Sequence, residues 1–278
     1  MASEFEFRKM HGAANDFVVI DHREPFVPTS PTELFARLCD RRRGIGADGV
    51  LLLEPSPGCD FAMRYFNSDG EAAEFCGNGA RCIARFALDL GLGRDGVVRF
   101  ATAVGEKRGT ALDDGRIALT FGTFEDGARV SLNAAGRTFE GRRLVTGVPH
   151  LVVEAEDLDA VPLSEWAPPL RRHVSLGPAG ANVDFVSRLG EGRVAMRTFE
   201  RGVEGETLAC GSGAIACARW AMLDAGMESP IGVRTRGGDE LWVEFVRGES
   251  GLEATLTGPA VTVYAGRWCE SAKTVRAT

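Results

Sequence analysis

Long apolar runs are missing from this 278-residue chain. No hydrophobic segment approaches the roughly 20 residues that a membrane-spanning helix needs. The first ten residues, MASEFEFRKM, also lack the apolar stretch of a secretory signal peptide. We therefore expect a cytoplasmic protein whose seven cysteines are free thiols rather than a disulfide framework.

The usual signatures of a metal site are absent from the sequence as well. No close Cys-x-x-Cys pair occurs, and the histidines have no paired spacing. Zinc sites normally draw on such pairs, so we expect no metal. The four histidines are His11, His22, His150 and His173.

Positive charge is in deficit. The chain has 32 lysines and arginines against 39 aspartates and glutamates, which gives a net charge of -7 and a pI of about 5.3. Nucleic-acid-binding domains are usually basic, so no nucleic-acid partner is expected. With 44% hydrophobic and 26% charged residues, the composition suits a soluble protein of one large domain or two ordinary ones.

Two glycine-rich segments of the chain resemble each other. AEFCGNGARC at residues 73–82 and LACGSGAIAC at residues 208–217 both place a cysteine before Gly-x-Gly and an apolar run. A Met-Arg-x-Phe stretch lies upstream of each, MRYF and MRTF. Further echoes link ARFA with ARWA, VVRFATAVGE with GVRTRGGDE, and AANDFVVID with GANVDFVSR. Five matched segments in one order indicate a duplicated domain.

The duplication predicts an α/β fold of two pseudo-symmetric halves, residues 1–120 and 121–262. We expect each half to be a curled mixed β-sheet around a central helix, with the active site in the cleft between the halves. The central helices are predicted at 79–90 and 213–224. A terminal strand, 263–278, is expected to complete the first half.

The composition of two segments in the second half predicts their secondary structure. RLVTGVPHLVVEA is rich in β-branched residues and predicts one strand. SEWAPPLRRHVSLGPAG is rich in proline and glycine and predicts a loop.

Cys76 and Cys210 each precede a helix, and this position has chemical consequences. A helix N-terminus presents unpaired N–H groups and partial positive charge, which favour a thiolate and bind carboxylates. Two such thiols could serve the two faces of one α-carbon. One thiolate would remove the α-proton while the other thiol delivers a proton to the opposite face.

Other roles for the cysteine pair are possible from sequence alone. A redox dithiol usually has its cysteines close in sequence, and a single nucleophile does not explain two copies. A buried cysteine can also act simply as a small hydrophobic residue. We expect that last role for Cys39, Cys59, Cys82, Cys217 and Cys269.

Three segments together closely resemble the diaminopimelate epimerase family: KMHGAANDFVVID, YFNSDGEAAEFCGNGARC and FERGVEGETLACGSGA. The resemblance covers essentially the whole chain. It implies a pyridoxal-independent epimerase, without a cofactor, that interconverts LL- and meso-2,6-diaminopimelate in lysine and peptidoglycan synthesis. It also implies a homodimer whose small-molecule ligand is an amino acid.

The resemblance implies four catalytic residues. Cys76 and Cys210 look like the two acid/base thiols. Glu200 looks like the polar partner that relays the proton of one thiol, and His150 like the partner of the other. Without the resemblance, His150 could be a packed turn histidine, and Glu200 could form a surface ion pair with Arg201.

The resemblance also implies a set of substrate contacts. Arg201 suits a distal carboxylate, which a guanidinium grips with two hydrogen bonds. Asn67, in FNSDG, could instead only stabilise a turn. The expected contacts are Asn15, Asn67, Asn182 and Arg201, with the turn residues Gly77, Asn78, Gly211 and Ser212 holding the reacting carboxylate.

One departure from the family pattern concerns the substrate. The sequence reads GVPH where Gly-Asn-Pro-His is expected, so Val148 stands in place of an asparagine. Either Thr146 or water compensates, or the distal contact is weaker. A related racemase acting on another amino acid, such as histidine, therefore stays an alternative, as does a non-catalytic amino-acid-binding protein of the same fold.

Overall fold

The computed structural model describes residues 4–27, 31–248 and 251–269. The chain divides into two compact units. The first contains the described residues of Met1–Gly12, Asp16–Arg108 and Ala260–Thr278, and the second those of Ala13–Asn15 and Gly109–Pro259. The fold is mixed α/β, mostly strands with few helices. None of the described helices is long and apolar enough to cross a membrane.

The N-terminal part of the chain builds most of the first unit. Its two helices are α1 (Thr32–Cys39) and α2 (Gly77–Asp89). Its strands are β1 (Glu4–Gly12), β2 (Asn15–Asp21), β3 (Gly49–Glu54), β4 (Phe61–Asn67), β5 (Ala72–Ala73) and β6 (Val97–Thr102), after which β7 (Gly105–Ala111) leads into the second unit.

The second unit contains two further α-helices, α3 (Leu163–Arg171) and α4 (Gly211–Ala225), and a short 3-10 helix, Val174–Leu176. Its strands are β8 (Ile117–Thr123), β9 (Glu125–Ala134), β10 (Arg137–Val145), β11 (Pro149–Glu154), β12 (Asn182–Gly190), β13 (Arg193–Glu200), β14 (Gly205–Thr207), β15 (Ile231–Arg234), β16 (Glu240–Gly248) and β17 (Gly251–Gly258). The chain then returns to the first unit as β18 (Val261–Cys269).

The sheet of the first unit is mixed and packs on one helix. β18 and β1 are antiparallel, β2 and β3 are parallel, β3 and β4 are antiparallel, and β4 and β6 are parallel. Helix α2 contacts β1, β3, β4 and β6. Three of its apolar residues, Ala80, Ile83 and Ala87, are fully buried. One sheet therefore curves around a central helix.

The second unit repeats this arrangement with more strands. β11 and β12 are parallel, β12 and β13 antiparallel, and β13 and β15 parallel. β16, β17 and β8 continue the sheet in antiparallel pairs. The sequence-based division at residue 120 falls inside β8, which pairs with β17. Helix α4 is rich in alanine and glycine and packs against β10, β11, β12, β13, β15, β16 and β17.

Strand register relates the two units residue by residue. Val50 pairs with Phe66 in the first unit, and Val183 pairs with Phe199 in the second, where both phenylalanines end the Met-Arg-x-Phe stretch. β3 is therefore the equivalent of β12, and their parallel neighbours β2 and β11 are equivalent to each other. The equivalent pairs are Asn15 and Val148, Phe17 and His150, Gly49 and Asn182, Leu51 and Asp184, and Asn67 and Glu200.

This register corrects one of the sequence matches. AANDFVVID and GANVDFVSR were aligned, which would make Asn15 equivalent to Asn182. The alignment is wrong, because AANDFVVID forms β2 whereas GANVDFVSR begins β12, the equivalent of β3. Both strands alternate β-branched and aromatic residues after an asparagine, and that pattern does not distinguish neighbouring strands of one sheet.

Two secondary-structure predictions for the second half are also wrong. RLVTGVPHLVVEA forms two antiparallel strands, β10 and β11, because Gly147 has a φ of +85° and turns the chain. The segment read as a loop contains helix α3, with Pro168 and Pro169 inside it. Buried Ala167 and Leu170 pack this helix into an apolar cluster, and this packing outweighs the proline penalty.

The two central helices are confirmed, each two residues longer at its N-terminus than predicted. They begin at Gly77 and Gly211, directly after the cysteines. Burial of Cys39, Cys82 and Cys217 is confirmed as well. Cys59 is only half-buried and Cys269 is exposed, so the expectation for these two is wrong. Of the predicted terminal strand 263–278, residues 270–278 lie outside the described residues, and β18 ends at Cys269.

Candidate active site

Cys210 is the residue immediately before helix α4. Its backbone is extended, with φ of -121° and ψ of 115°, and its thiol sulfur accepts a hydrogen bond from the Gly213 N–H at 3.4 Å. The Ser212 hydroxyl lies 3.5 Å from the sulfur. The side chain therefore caps the helix that it precedes and lies among the N–H groups of its first turn.

The electrostatic surroundings of Cys210 oppose the thiolate in the unliganded protein. Burial raises the pKa of the Cys210 thiol well above its usual range, and the negative charges of Glu200 and Asp184 raise it further. Hydrogen bonds from Ser212 and Gly213 act in the opposite direction. Cys210 is thus a protonated thiol at neutral pH, with two acids close enough to influence it.

Glu200 ends strand β13 and is half-buried. Burial raises the pKa of its carboxyl group, while the Thr207 hydroxyl, which donates to Oε1, and the nearby His150 lower it. The neighbouring Cys210 side chain also lowers it. Glu200 is thus a carboxyl group with a raised pKa beside the Cys210 thiol.

His150 forms a buried pair with Asp184. Both side chains are inaccessible to solvent, and His150 Nδ1 lies 2.6 Å from Asp184 Oδ2. The other carboxylate oxygen, Oδ1, accepts from the Thr198 hydroxyl at 2.7 Å. Three adjacent strands, β11, β12 and β13, supply these side chains. The register pairs Asp184 with Thr198, and it pairs His150 with Asn182, two residues before Asp184 on the same strand.

The far side of the imidazole faces the start of helix α4. His150 Nε2 lies 3.0 Å from Ser212 Oγ and 3.3 Å from Asn182 Nδ2. Asn182 Oδ1 in turn accepts from the Arg201 backbone N–H at 2.7 Å. Hydrogen bonds thus join five of the residues predicted for the site, Cys210, Ser212, His150, Asn182 and Arg201. The predicted Glu200 lies close enough to Cys210 for each side chain to shift the pKa of the other.

Thr146 and Val148 lie in the turn before His150. The Thr146 hydroxyl donates to the Ser212 backbone oxygen at 2.9 Å, and its N–H donates to the Val148 oxygen at 3.1 Å. The Thr146 hydroxyl therefore fastens this turn to helix α4. Val148 is half-buried and offers only an apolar side chain.

Cys76 holds the equivalent place in the first unit. It precedes helix α2 with φ of -138° and ψ of 117°, and its carbonyl oxygen accepts from Ala80 N–H at 2.8 Å. Unlike Cys210, its sulfur makes no capping hydrogen bond within the helix. Cys76 is half-buried. Asn78, in the first turn, is buried and its Oδ1 accepts from Arg81 at 2.8 Å.

The remaining asparagines lie at turns of the first sheet. Asn67 is exposed at the end of β4, where its backbone N–H donates to the Glu71 oxygen and its backbone oxygen accepts from the Gly70 N–H, both at 2.9 Å. Asn15 begins β2 after Ala13 and Ala14, whose φ angles of +55° and +63° are left-handed. That strained two-residue turn fixes where Asn15 enters the strand.

Sequence reasoning missed Asp184, Thr198 and Thr207. All three lie inside strands whose pattern indicates only β structure. One signal was available: Asp184 is an acidic residue within the otherwise apolar stretch VDFV, and a buried carboxylate needs partners. Among the described residues, no group of three or more His, Cys, Asp or Glu side chains is arranged to hold a metal ion.

Comparison with known proteins identifies the family. The family model for diaminopimelate epimerase matches residues 7–125 and 144–263, one segment in each half of the chain. The chain belongs to the diaminopimelate epimerase family. A diaminopimelate epimerase of Aquifex aeolicus is 38% identical over 95% of this chain and 98% of its own length. That of Methanocella arvoryzae is 40% identical, over 95% and 96%.

Solved structures of other proteins share this fold. A PhzF-family phenazine biosynthesis protein of Bacillus anthracis superposes with a TM-score of 0.71 at 14% identity, covering 96% of this chain and 99% of its own. A hydroxyproline epimerase of Agrobacterium vitis has a TM-score of 0.67 at 19% identity, covering 97% and 94%. At such identities, the likeness shows the fold alone.

Substitution of the two central-helix glycines tests the packing under each cysteine. A Cβ at Gly213 would lie 2.6 Å from Asp184 Oδ1 and 3.0 Å from Met196, whereas one at Gly79 would meet only flexible side-chain carbons of Leu51 and Phe17 at 3.2–3.3 Å. We expect Gly213→Ala to destabilise the protein by about 1–3 kcal/mol. Gly79→Ala should cost less, since alanine favours a helix.

Urea unfolding of both variants measures this difference. Equal stability of Gly213→Ala and the unsubstituted protein would mean that Asp184 is not held against the helix.

Removal of the Glu200 charge tests its effect on Cys210. Because that charge raises the pKa of Cys210, Glu200→Gln should lower it and increase the thiolate fraction at a fixed pH. Alkylation of Cys210 by iodoacetamide at pH 8, followed by mass spectrometry, should accelerate by up to about tenfold, the change that one pKa unit produces. Glu206→Gln, in neighbouring strand β14, is the matched control. No acceleration specific to Glu200→Gln would refute the coupling.

Proposed function

We propose that the protein interconverts LL- and meso-2,6-diaminopimelate in the cytoplasm, without a cofactor, as a step of lysine and peptidoglycan synthesis. Membership of the family supports the reaction and the substrate. The observation that carries the proposal is the pair of cysteines, Cys76 and Cys210, each at the residue before a central helix.

The reaction needs two groups that exchange one proton each with the same carbon. In one direction, a thiolate takes the α-proton, and the electron pair left on carbon takes a proton from the other thiol. Cys76 and Cys210 are proposed for these roles, and the direction of reaction decides which starts as the thiolate. Glu200 and His150 are proposed as the groups that supply and accept the thiol protons. The proximity of Glu200 to Cys210, whose pKa the Glu200 charge raises, supports the first of these roles.

An α-proton is a very weak acid, so a thiolate alone is an inadequate base. Charge that develops on the substrate carboxylate must be stabilised, and N–H groups at a helix start are suited to this. Gly77, Asn78, Gly211 and Ser212 form the first turns of α2 and α4 and are proposed for that task. For the rest of the substrate we propose contacts with Asn15, Asn67, Asn182 and Arg201.

Deuterium exchange tests the reaction. With LL-diaminopimelate in D2O, the protein should incorporate deuterium at one α-carbon and form the meso isomer. Cys76→Ala and Cys210→Ala should each reduce epimerisation by more than about 10³-fold, because each leaves one face without an acid or base. NMR of the substrate follows both exchange and inversion.

Cys82→Ala is the matched control. Burial raises the pKa of Cys82 to about 12, so this thiol is unreactive and its loss should leave the activity in place. Full activity of either first variant would refute the two-thiol mechanism. Faster exchange with histidine or another single amino acid than with diaminopimelate would favour the related racemase, an alternative that Val148 supports. Absence of exchange with any of these amino acids would favour a binding protein.

We propose that the protein is a homodimer and that strand β18 contributes to the interface. Val261, Val263 and Tyr264 expose 43%, 57% and 44% of their surface on this strand, where apolar residues would otherwise be disfavoured. Val263→Lys should therefore shift the protein toward the monomer in sedimentation velocity. Val104→Lys, at a valine 44% exposed in a turn of the same unit, is the control. A monomeric unsubstituted protein would contradict the proposal.

A further inference from the structure

The hydrogen bonds around His150 fix which ring nitrogen carries the proton. Asn182 Nδ2 can only donate, and its orientation is set because Asn182 Oδ1 accepts from the Arg201 N–H. His150 Nε2, 3.3 Å from that nitrogen, is therefore the acceptor. Nδ1 then bears the hydrogen and donates it to Asp184 Oδ2, 2.6 Å away. Asp184 matches this state because a carboxylate accepts.

The first unit shows which kind of side chain the fold needs at the positions equivalent to His150 and Asp184. Its equivalents of His150 and Asp184 are Phe17 and Leu51, both fully buried and both next to Gly79 in the first turn of α2. An apolar pair thus satisfies the packing beneath a central helix. A buried ionisable pair is generally no more stabilising than apolar residues of similar volume. The second unit therefore holds His150 and Asp184 for a reason other than its fold.

The pair adjoins Cys210 through a single hydroxyl group. Ser212 Oγ lies 3.0 Å from His150 Nε2 and 3.5 Å from Cys210 Sγ. A proton leaving the thiol can pass to Ser212 Oγ while the serine proton passes to Nε2. The S–H bond breaks, the serine O–H is exchanged, and an N–H forms. The imidazolium so produced faces the Asp184 carboxylate, which stabilises it.

We propose that Asp184 is a positioning residue for the proposed epimerisation: its carboxylate holds the His150 ring with Nδ1 protonated, so that Nε2 stays available to Ser212 and the Cys210 thiol. The effect on activity rests on the proposed function, whereas the state of the ring does not. The equivalent places in the first unit hold Phe17 and Leu51, which cannot accept a proton, so this positioning pair occurs in the second unit alone among the two.

Asp184→Asn tests this role with little change of shape. In the unsubstituted protein, the Nδ1 proton should give a strongly downfield proton resonance, assigned by its loss in His150→Phe. Asp184→Asn should shift or abolish that resonance and lower kcat for diaminopimelate epimerisation by about 10²-fold, with a smaller change in KM, since general acid–base catalysis contributes at least that much. Thr198→Val, which leaves the carboxylate in place, should retain the resonance.

A double variant separates positioning from folding. His150→Phe with Asp184→Leu places the apolar pair of the first unit in the second. It should fold with unchanged circular dichroism, unfold at a temperature no lower than the original protein, and lose epimerase activity. Failure of this double variant to fold would contradict the inference, because the pair would then serve the fold.

The outcomes also distinguish the inference from the proposed function. An active protein in which Asp184→Asn retains full kcat overturns the positioning role and leaves the function intact. An unsubstituted protein that does not epimerise diaminopimelate, yet shows the downfield resonance and loses it in Asp184→Asn, overturns the function and supports the assigned state of the ring. Absence of the resonance from the unsubstituted protein overturns the inference.

Discussion

The close approach between the first turn of each central helix and the strands beneath it is the constraint on which the site depends. Gly213 makes it possible in the second unit, because a Cβ there would press on Asp184 and Met196, whereas Gly79 leaves a Cβ tight room against Leu51 and Phe17 in the first. The helix start, with its unpaired N–H groups, thereby lies directly over the residues that β2, β3, β11 and β12 present. The cysteine before each helix is held at that junction, so the position of the thiol follows from the packing of the helix.

The side chains beneath the first turn of the central helix differ between the two units. Below Gly79 lie the apolar Phe17 and Leu51, and next to Gly213 lies Asp184, paired with His150. The fold tolerates the apolar pair and the ionisable pair alike. The strand register fixes the positions of the two residues, and different side chains can fill those positions. Duplication thus supplied two similar cysteine positions. One of them has the pair of His150 and Asp184 beside it, and the other has the apolar Phe17 and Leu51.

Much of the site follows from residues close together in sequence. The Cys-Gly-x-Gly segments predict a thiol at a helix start, since glycine spacing, apolar periodicity and the preceding cysteine all lie within ten residues. The alignment of Asn15 with Asn182 failed for the opposite reason: a short strand pattern does not determine which strands are neighbours. Asp184 was missed because its partners, His150 and Thr198, are 34 and 14 residues away along the chain.

The sequence by itself determined the duplication, the two central helices, the two cysteines and the family to which the chain belongs. All of these follow from patterns within short segments and from the order of the motifs along the chain. Only the tertiary structure decided that Phe17 and Leu51 are the counterparts of His150 and Asp184, and that Asn182, Ser212 and Glu200 gather around Cys210. These relations depend on strand register and on side chains that meet across parallel strands, and neither is encoded in any single segment.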